Sequence, residues 1–199
     1  SSRQNAPFLP IINADGSFVV FGQTSNGATA TAFLQSFSAN GVAQQPILIN
    51  DARPTIATYS AADKIILARS STSVAGINAP GYLKRLNRDG TLDSSFGNNG
   101  TVADPDMLLL GSEITLGEDA QGRIMVTSFS KGLMRFLANG ALDTSFGASG
   151  IAPLPADRGQ FETFLAQAVA TDGGYYELTG GSGGDANSLL RYTSSGALD

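Results

Sequence analysis

The 199-residue chain is 42% hydrophobic, which is enough for a folded core, whereas only 15% of its residues are charged and 24 are glycine. Its net charge of −5 argues against nucleic acid as a partner, and no apolar run approaches the ~18 residues of a membrane helix. Because the chain has no histidine and no cysteine, a Ser-His-Asp triad, a cysteine nucleophile, a His/Cys zinc site and a disulfide are excluded.

Short apolar runs follow turn-forming residues at four places along the chain. The turns are at residues 13–17, 60–64, 119–123 and 171–174, and the runs are at 18–21, 65–68, 124–127 and 175–178. Another candidate strand precedes each turn, at 8–12, 55–59, 113–116 and 164–170, although residues 161–170 are also the segment nearest to a helical pattern. Later candidate strands lie at 132–137, 101–102 and 151–152. Asp-Gly and Gly-Gly between apolar segments indicate β-hairpins, since these residues tolerate positive φ.

A longer motif recurs about every 50 residues. Residues 85–97 read RLNRDGTLDSSFG and residues 135–147 read RFLANGALDTSFG; residues 191–199 begin a third copy and residues 36–44 form a weaker one. The central glycines are Gly41, Gly90, Gly140 and Gly196, with spacings of 49, 50 and 56 residues. The chain is therefore interpreted as one repeat domain, 1–199, with units at approximately 7–50, 51–105, 106–157 and 158–199, the last one incomplete.

Up to four short antiparallel strands per unit predict an all-β fold of the β-propeller type, with about four blade units of ~50 residues. A parallel β-helix is the rival, but its rungs are shorter and lack paired hairpin turns. The last unit lacks a Ser-Phe-Gly segment and would expose a strand edge. Three possibilities stay open: a fragment of a longer propeller, an irregularly closed ring, or a subunit completed by a neighbour.

The pattern Arg-x-x-x-x-Gly-x-Leu-Asp-x-Ser-Phe-Gly-x-x-Gly resembles the bacterial delta-60 repeat, a β-propeller-like family. Residues 85–100 and 135–150 match it, and residues 191–199 match as far as they extend. The first unit departs, with Ser36 in place of Arg and Gln44 in place of Asp. The resemblance implies a bacterial repeat protein that is secreted or located at the cell surface, and it supplies no catalytic residues.

Each Arg of the motif precedes its Asp by eight residues, and both are replaced together in the first unit. We therefore expect the Arg and Asp of one repeat to form an ion pair, with the guanidinium binding the carboxylate bidentately; a ligand site in each repeat is the alternative. The aromatic residue of the motif is interpreted as a core plug between units, with exposed sugar stacking as the alternative, and the glycine after it as a positive-φ turn. The structural motif residues are Arg85, Asp93, Phe96, Gly97, Arg135, Asp143, Phe146, Gly147, Arg191 and Asp199.

Because histidine and cysteine are absent, carboxylates are the side chains left for metal binding and for catalysis. Residues 13–16, 87–93 and 104–106 carry oxygen ligands at short spacing, but no Glu closes a calcium loop, so turn formation explains them and calcium remains the alternative. A glycosidase needs two carboxyls facing one cleft, and nothing in the sequence pairs two of Glu113, Glu118, Glu162 and Glu177. No cofactor and no catalytic residue are predicted.

The leading functional interpretation is a non-enzymatic binding or scaffold module, secreted or at the bacterial surface, whose partner is an extracellular protein or a glycan. One alternative is a self-assembling surface or fibre subunit that is completed by strand exchange, as a homo-oligomer or filament. A second alternative is a carboxylate-based glycan hydrolase. Nucleic acid and membrane insertion are not expected.

Overall fold

A computed structural model describes residues 10–12, 15–25, 30–52, 56–60, 64–74, 77–104, 114–128, 131–155, 163–180 and 187–199. Within these ranges all regular secondary structure is β, arranged as four small antiparallel sheets and one two-stranded hairpin. The described residues contain no helix long and apolar enough to cross a membrane. The all-β expectation and the antiparallel hairpins are confirmed.

Each sheet is built from one continuous stretch of chain, with neighbouring strands paired antiparallel in sequence order. The first sheet contains β1 Ile11–Ile12, β2 Phe18–Ser25, β3 Ala30–Phe37 and β4 Ile47–Ala52. The second contains β5 Ile56–Ser60, β6 Lys64–Arg69, β9 Gly81–Leu86 and β10 Thr101–Asp104, and the separate hairpin β7 Thr72–Val74 with β8 Ile77–Ala79 interrupts it. The third contains β11 Ile114–Glu118, β12 Ile124–Ser128, β13 Gly132–Phe136 and β14 Ile151–Ala152. The fourth contains β15 Thr163–Val169, β16 Tyr175–Gly180 and β17 Ser188–Tyr192.

The segment nearest to a helical pattern forms strand β15. Its pairing with β16 shifts register between Phe164 and Ala166, which is a β-bulge or similar irregularity. An extra residue in one strand breaks the strict alternation of side chains and therefore weakens the strand signal in the sequence. The first two residues of another predicted strand, 8–12, lie outside the described residues, which place only Ile11–Ile12 in β1.

The core consists of apolar layers between consecutive sheets. Strand β6 supplies two layers at once: Ile65 and Leu67 pack with the first sheet, whereas Ile66 and Ala68 pack with the third. A third layer joins the third and fourth sheets around Phe146. Because both faces of the middle sheets are covered, their central strands are buried along continuous runs rather than at alternate residues. The first strands of the second, third and fourth sheets also lie next to one another, since β11 contacts both β5 and β15.

Candidate functional site

The motif residues of the second repeat connect that repeat to the turn of the third. Arg85 Nε donates to Asp93 Oδ2 at 2.8 Å, and Arg85 Nη1 donates to the carbonyl oxygen of Ala138 at 2.5 Å. The guanidinium also lies over the fully buried Phe96 ring, 4.7 Å from its centroid. We call this arrangement of Arg, Asp and Phe, acting on the next turn, the clamp.

The third repeat forms the same clamp on the fourth. Arg135 Nε donates to Asp143 Oδ2 at 2.7 Å, and Nη1 donates to the carbonyl oxygen of Ser194 at 2.6 Å. The guanidinium lies 4.5 Å from the centroid of the fully buried Phe146 ring. The motif therefore holds one repeat against the next, in addition to forming the expected ion pair within a repeat.

Glycines let the next turn approach the clamp closely. Gly97 N donates to the carbonyl oxygen of Asn139 at 2.8 Å, and Gly147 N donates to that of Ser195 at the same distance. Gly140 has a φ of +89°, and a Cβ added there would lie 3.0 Å from the Phe96 ring and 2.7 Å from a Val102 methyl. Both the backbone conformation and the space therefore require glycine at this position.

The clamp carboxylates are held in the ionised form. The Ser95 hydroxyl and amide both donate to Asp93 Oδ1, at 2.7 and 3.1 Å. These bonds, the hydroxyl first, together with Arg85, lower the pKa of Asp93 to about 2 against the opposing effect of burial. Ser145 and Arg135 lower the pKa of Asp143 in the same way. This explains the Ser of the Asp-x-Ser-Phe-Gly motif.

The expected bidentate contact between Arg and Asp is wrong in detail. Only Nε of Arg85 binds Asp93, because Oδ1 of that carboxylate takes Ser95 and the two Nη atoms reach Ala138 O and Ser95 Oγ. The guanidinium fork thus spans three acceptors instead of facing one carboxylate. Motif spacing could not reveal this, since one of the acceptors belongs to a different repeat.

The fourth repeat forms the ion pair in a more exposed setting. Arg191 pairs with Asp199 and also with Asp172, at 2.9 Å, and its Nε donates to the Tyr176 hydroxyl at 3.0 Å. The side chains of Arg191 and Asp199 are 34% and 46% exposed, compared with 4% and 8% for Arg135 and Asp143. Sequence reasoning did not find the contacts of Asp172 and Tyr176, which come from an adjacent turn and strand.

In the first repeat the clamp residues are replaced by uncharged side chains. Ser36 and Gln44 stand at the Arg and Asp positions, and Ile47, three residues after Gln44, stands at the Phe position. Ile47 keeps part of the plug function, since a Cβ added at Gly90 would overlap its side chain. Sequence reasoning missed Ile47, although the three-residue spacing from Asp to Phe in the other repeats could have revealed it. A pocket of about 470 Å³ lies at this place.

The turn carboxylates proposed as possible calcium ligands accept hydrogen bonds from their own turns. Asp89 Oδ1 takes the amide and hydroxyl of Thr91, and Asp15 Oδ1 takes those of Ser17. These bonds, the hydroxyl first, lower the pKa of each Asp. The described residues contain no group of three or more acidic residues that could hold a metal ion; residues 105–106 lie outside them.

A buried polar cluster joins the third and fourth sheets around Glu177, which is fully buried. Its carboxylate accepts from Thr115 Oγ1 at 3.2 Å, from Thr127 Oγ1 at 2.5 Å and from the Tyr175 hydroxyl at 2.9 Å. Burial and the neighbouring Glu177 raise the pKa of Tyr175 well above its ordinary value. Of the other carboxylates considered for hydrolysis, Glu118 is the last residue of β11, and Glu113 and Glu162 lie outside the described residues.

Two segments of the chain, residues 62–96 and 122–146, match the family described as Domain of unknown function (DUF5122) beta-propeller. These segments are similar to β-propeller repeats. They contain the second hairpin strand of the second and third sheets and end at the two plug residues, Phe96 and Phe146. No curated protein matches the chain.

Proposed function

We propose that this protein is a non-enzymatic binding or scaffold module of the bacterial cell surface or exterior. Its four sheets act as blades of a β-propeller-type repeat domain of the delta-60 kind. The clamp carries the proposal: the recurring charged residues hold the second repeat on the third and the third repeat on the fourth. The Arg135–Asp143 pair is almost completely buried, so it acts on the scaffold rather than on a ligand in solvent.

A scaffold held in this way leaves binding to positions that differ between repeats. Repeat proteins place a uniform core beneath a surface whose composition varies from unit to unit. The first repeat departs most from the motif, and it is also the repeat beside which the pocket lies. This combination favours a binding role over a purely structural one.

The hydrolase alternative receives less support from the geometry. Glu177, one of its candidate carboxylates, is fully buried and is bound by three hydroxyl donors. A glycosidase carboxylate has to reach the glycosidic bond in an open cleft. The contacts of Glu177 support a role in joining the third and fourth sheets instead.

Array binding combined with a turnover assay tests the proposal. Purified protein is applied to glycan and extracellular-protein arrays, and reducing-sugar release is measured on polysaccharides that bind. Binding without release supports a non-enzymatic module, whereas no binding on either array overturns it. Sugar release by the protein, lost in Glu177→Gln or Glu113→Gln, would establish the hydrolase. Antibody labelling of intact bacteria that express the protein tests location; labelling only after lysis would contradict surface exposure.

Self-assembly is a second candidate, favoured by the turn of the first repeat. Gly90, Gly140 and Gly196 each lie against a side chain of the preceding repeat, whereas no described atom lies within 4 Å of a Cβ placed on Gly41. This turn therefore presents a docking surface of the kind that the clamp of another repeat recognises. A second copy of the chain, offering its Arg191 side, would give a head-to-tail homo-oligomer or filament.

A pair of matched glycine variants tests self-assembly. Gly41→Asn places a side chain on the docking turn, and Gly16→Asn is the control, because both glycines have similar positive φ values of +78° and +81°. Asn tolerates this conformation better than other residues. Native mass spectrometry should show multiples of the 20.5 kDa chain that Gly41→Asn reduces and Gly16→Asn preserves. A monomer at all concentrations, or equal effects of both variants, overturns assembly through this turn.

A further inference from the structure

The pocket of about 470 Å³ lies between the first and second repeats, at the place where a clamp joins the later repeats. Ser36, Gln44 and Ile47, which replace the clamp residues, all line it. Arg88 lines it from the second repeat and stands at the position of Ala138, whose carbonyl oxygen accepts the clamp Arg85. The pocket therefore lies at the place that the clamp side chains occupy in the later repeats.

Two of the replacements remove side-chain volume from this place. Serine in place of arginine removes the guanidinium and most of its stem, and isoleucine in place of phenylalanine removes the ring. The neighbouring turn stays in position because Gly90 still lies against Ile47. A volume of this size falls in the range of about 300–1,000 Å³ that is typical of small-molecule sites.

The pocket wall combines an aromatic surface with a mixed polar rim. The rings of Phe18 and Phe37 stack with centroids 4.7 Å apart and an interplanar angle of 11°, and both are only partly buried. Gln44 and Gln45 provide primary amides, which donate and accept, and serine hydroxyls add further groups of both kinds. The wall thus offers an apolar face beside several hydrogen-bonding groups.

The charges on the wall balance one another. Asp15 contributes one carboxylate and Arg88 one guanidinium, and no other charged side chain lines the pocket among the described residues. A phosphorylated or strongly acidic ligand would need an excess of cationic groups. A purely apolar ligand would remove the side-chain amides of Gln44 and Gln45 from water without offering them partners, which is unfavourable.

We propose that this pocket binds a neutral saccharide. A sugar ring presents an apolar C–H face, which suits the phenylalanine wall, and a rim of hydroxyls that both donate and accept, which suits the carboxylate, amides and guanidinium. The proposal rests on the binding role proposed above and names its ligand class. A free mono- or disaccharide and a residue within a longer glycan share this chemistry, and the experiment separates them.

The decisive variant rebuilds the clamp and thereby places its arginine and phenylalanine side chains in the pocket. In the combined substitution S36R/Q44D/P46S/I47F the first repeat acquires the Arg, Asp, Ser and Phe of the others, and the new arginine has the Arg88 carbonyl oxygen as its acceptor. The control L165R/L189D adds the same two charges at exposed positions of the fourth sheet. Arg88→Ala changes only an exposed side chain at the pocket rim, so it keeps the test available if the combined variant does not fold by circular dichroism.

Saturation-transfer NMR measures binding with a stated set of sugars. The free set is glucose, galactose, mannose, N-acetylglucosamine, maltose and cellobiose, with glucose 6-phosphate and galacturonate as charged counterparts; soluble starch and xylan represent longer chains. We expect a signal from neutral sugars with the unmodified protein and the control, loss of it in the clamp variant, and binding weakened at least about tenfold in Arg88→Ala. Signals from the long chains alone assign the site to a residue within a glycan.

Three results overturn the saccharide proposal: no signal from any neutral sugar, binding only of the charged counterparts, or equal binding by the clamp variant. Binding of an extracellular protein on the array without any sugar signal overturns this pocket assignment and leaves the binding-module proposal standing. Failure of both the array and the NMR experiments removes both proposals.

Discussion

Replacing the arginine of a buried clamp should destabilise the protein far more than replacing its exposed counterpart. Arg135→Met keeps the aliphatic stem over Phe146 and removes the guanidinium. Asp143 then keeps its Ser145 hydrogen bonds but loses its counter-charge, and the Ser194 carbonyl oxygen loses its donor. Breaking a buried ion pair of this kind costs about 3–5 kcal/mol.

The matched variant is Arg191→Met, which removes the same motif arginine from a pair whose side chains are 34% and 46% exposed. Exposed ion pairs contribute about 0–1 kcal/mol. At roughly 2–4 °C per kcal/mol for a chain of this size, Arg135→Met should lower Tm by about 6–20 °C and Arg191→Met by less than about 4 °C.

Urea unfolding followed by far-UV circular dichroism measures both variants. The free energy of unfolding is taken from the midpoint and the slope, and an unchanged slope shows that the compactness of the end states is preserved. The double variant R135M/D143N removes the uncompensated carboxylate and should recover part of the loss. Equal costs for Arg135→Met and Arg191→Met would refute the interpretation of the clamp as a buried link between repeats.

Three further predictions use the same measurements. The pKa of Asp93 is lowered to about 2, below the ordinary value of about 3.9, so its contribution to the free energy of unfolding is complete above pH ~4 and is lost as the pH falls towards 2. Asp93→Asn should therefore flatten the pH dependence of the free energy of unfolding in that window. An unchanged pH profile would contradict this assignment. Gly140→Ala should lower the free energy of unfolding by at least about 1 kcal/mol more than Gly41→Ala. Both variants carry the strain of positive φ, about 1–2 kcal/mol, but only the Cβ at position 140 would meet the preceding repeat. Equal losses would refute docking of the Gly140 turn on the preceding repeat. Chelation with EDTA should leave Tm unchanged, since the turn carboxylates already accept protein donors, and a lowered Tm would restore the calcium alternative.

Local features of the fold were predictable because they depend on neighbouring residues. The turn residues and the apolar runs after them predicted four hairpins, which the structure shows as the pairings β1–β2, β5–β6, β11–β12 and β15–β16. Strand β15 was harder to distinguish from a helix, because its bulge between Phe164 and Ala166 interrupts the alternation on which the prediction depends.

The candidate site was predictable only in part. The joint loss of Arg and Asp from the first repeat indicated a contact between Arg85 and Asp93 and between their equivalents, and the structure places these side chains in ion pairs. It did not indicate the carbonyl acceptor on the next repeat, such as Ala138, which lies 53 residues away from Arg85. A motif repeated in every unit cannot show which unit its side chains face.

The sequence by itself determined the repeat length, the turn glycines, the antiparallel hairpins and the identity of the recurring Arg, Asp and Phe, because each follows from local conformational preference or from spacing along the chain. Only the tertiary structure decided that the clamp links consecutive repeats, that Glu177 is enclosed between two sheets, and that the weaker motif of the first repeat leaves a pocket. These features depend on how separate sheets pack against each other, and burial and empty volume arise only when residues far apart in sequence meet.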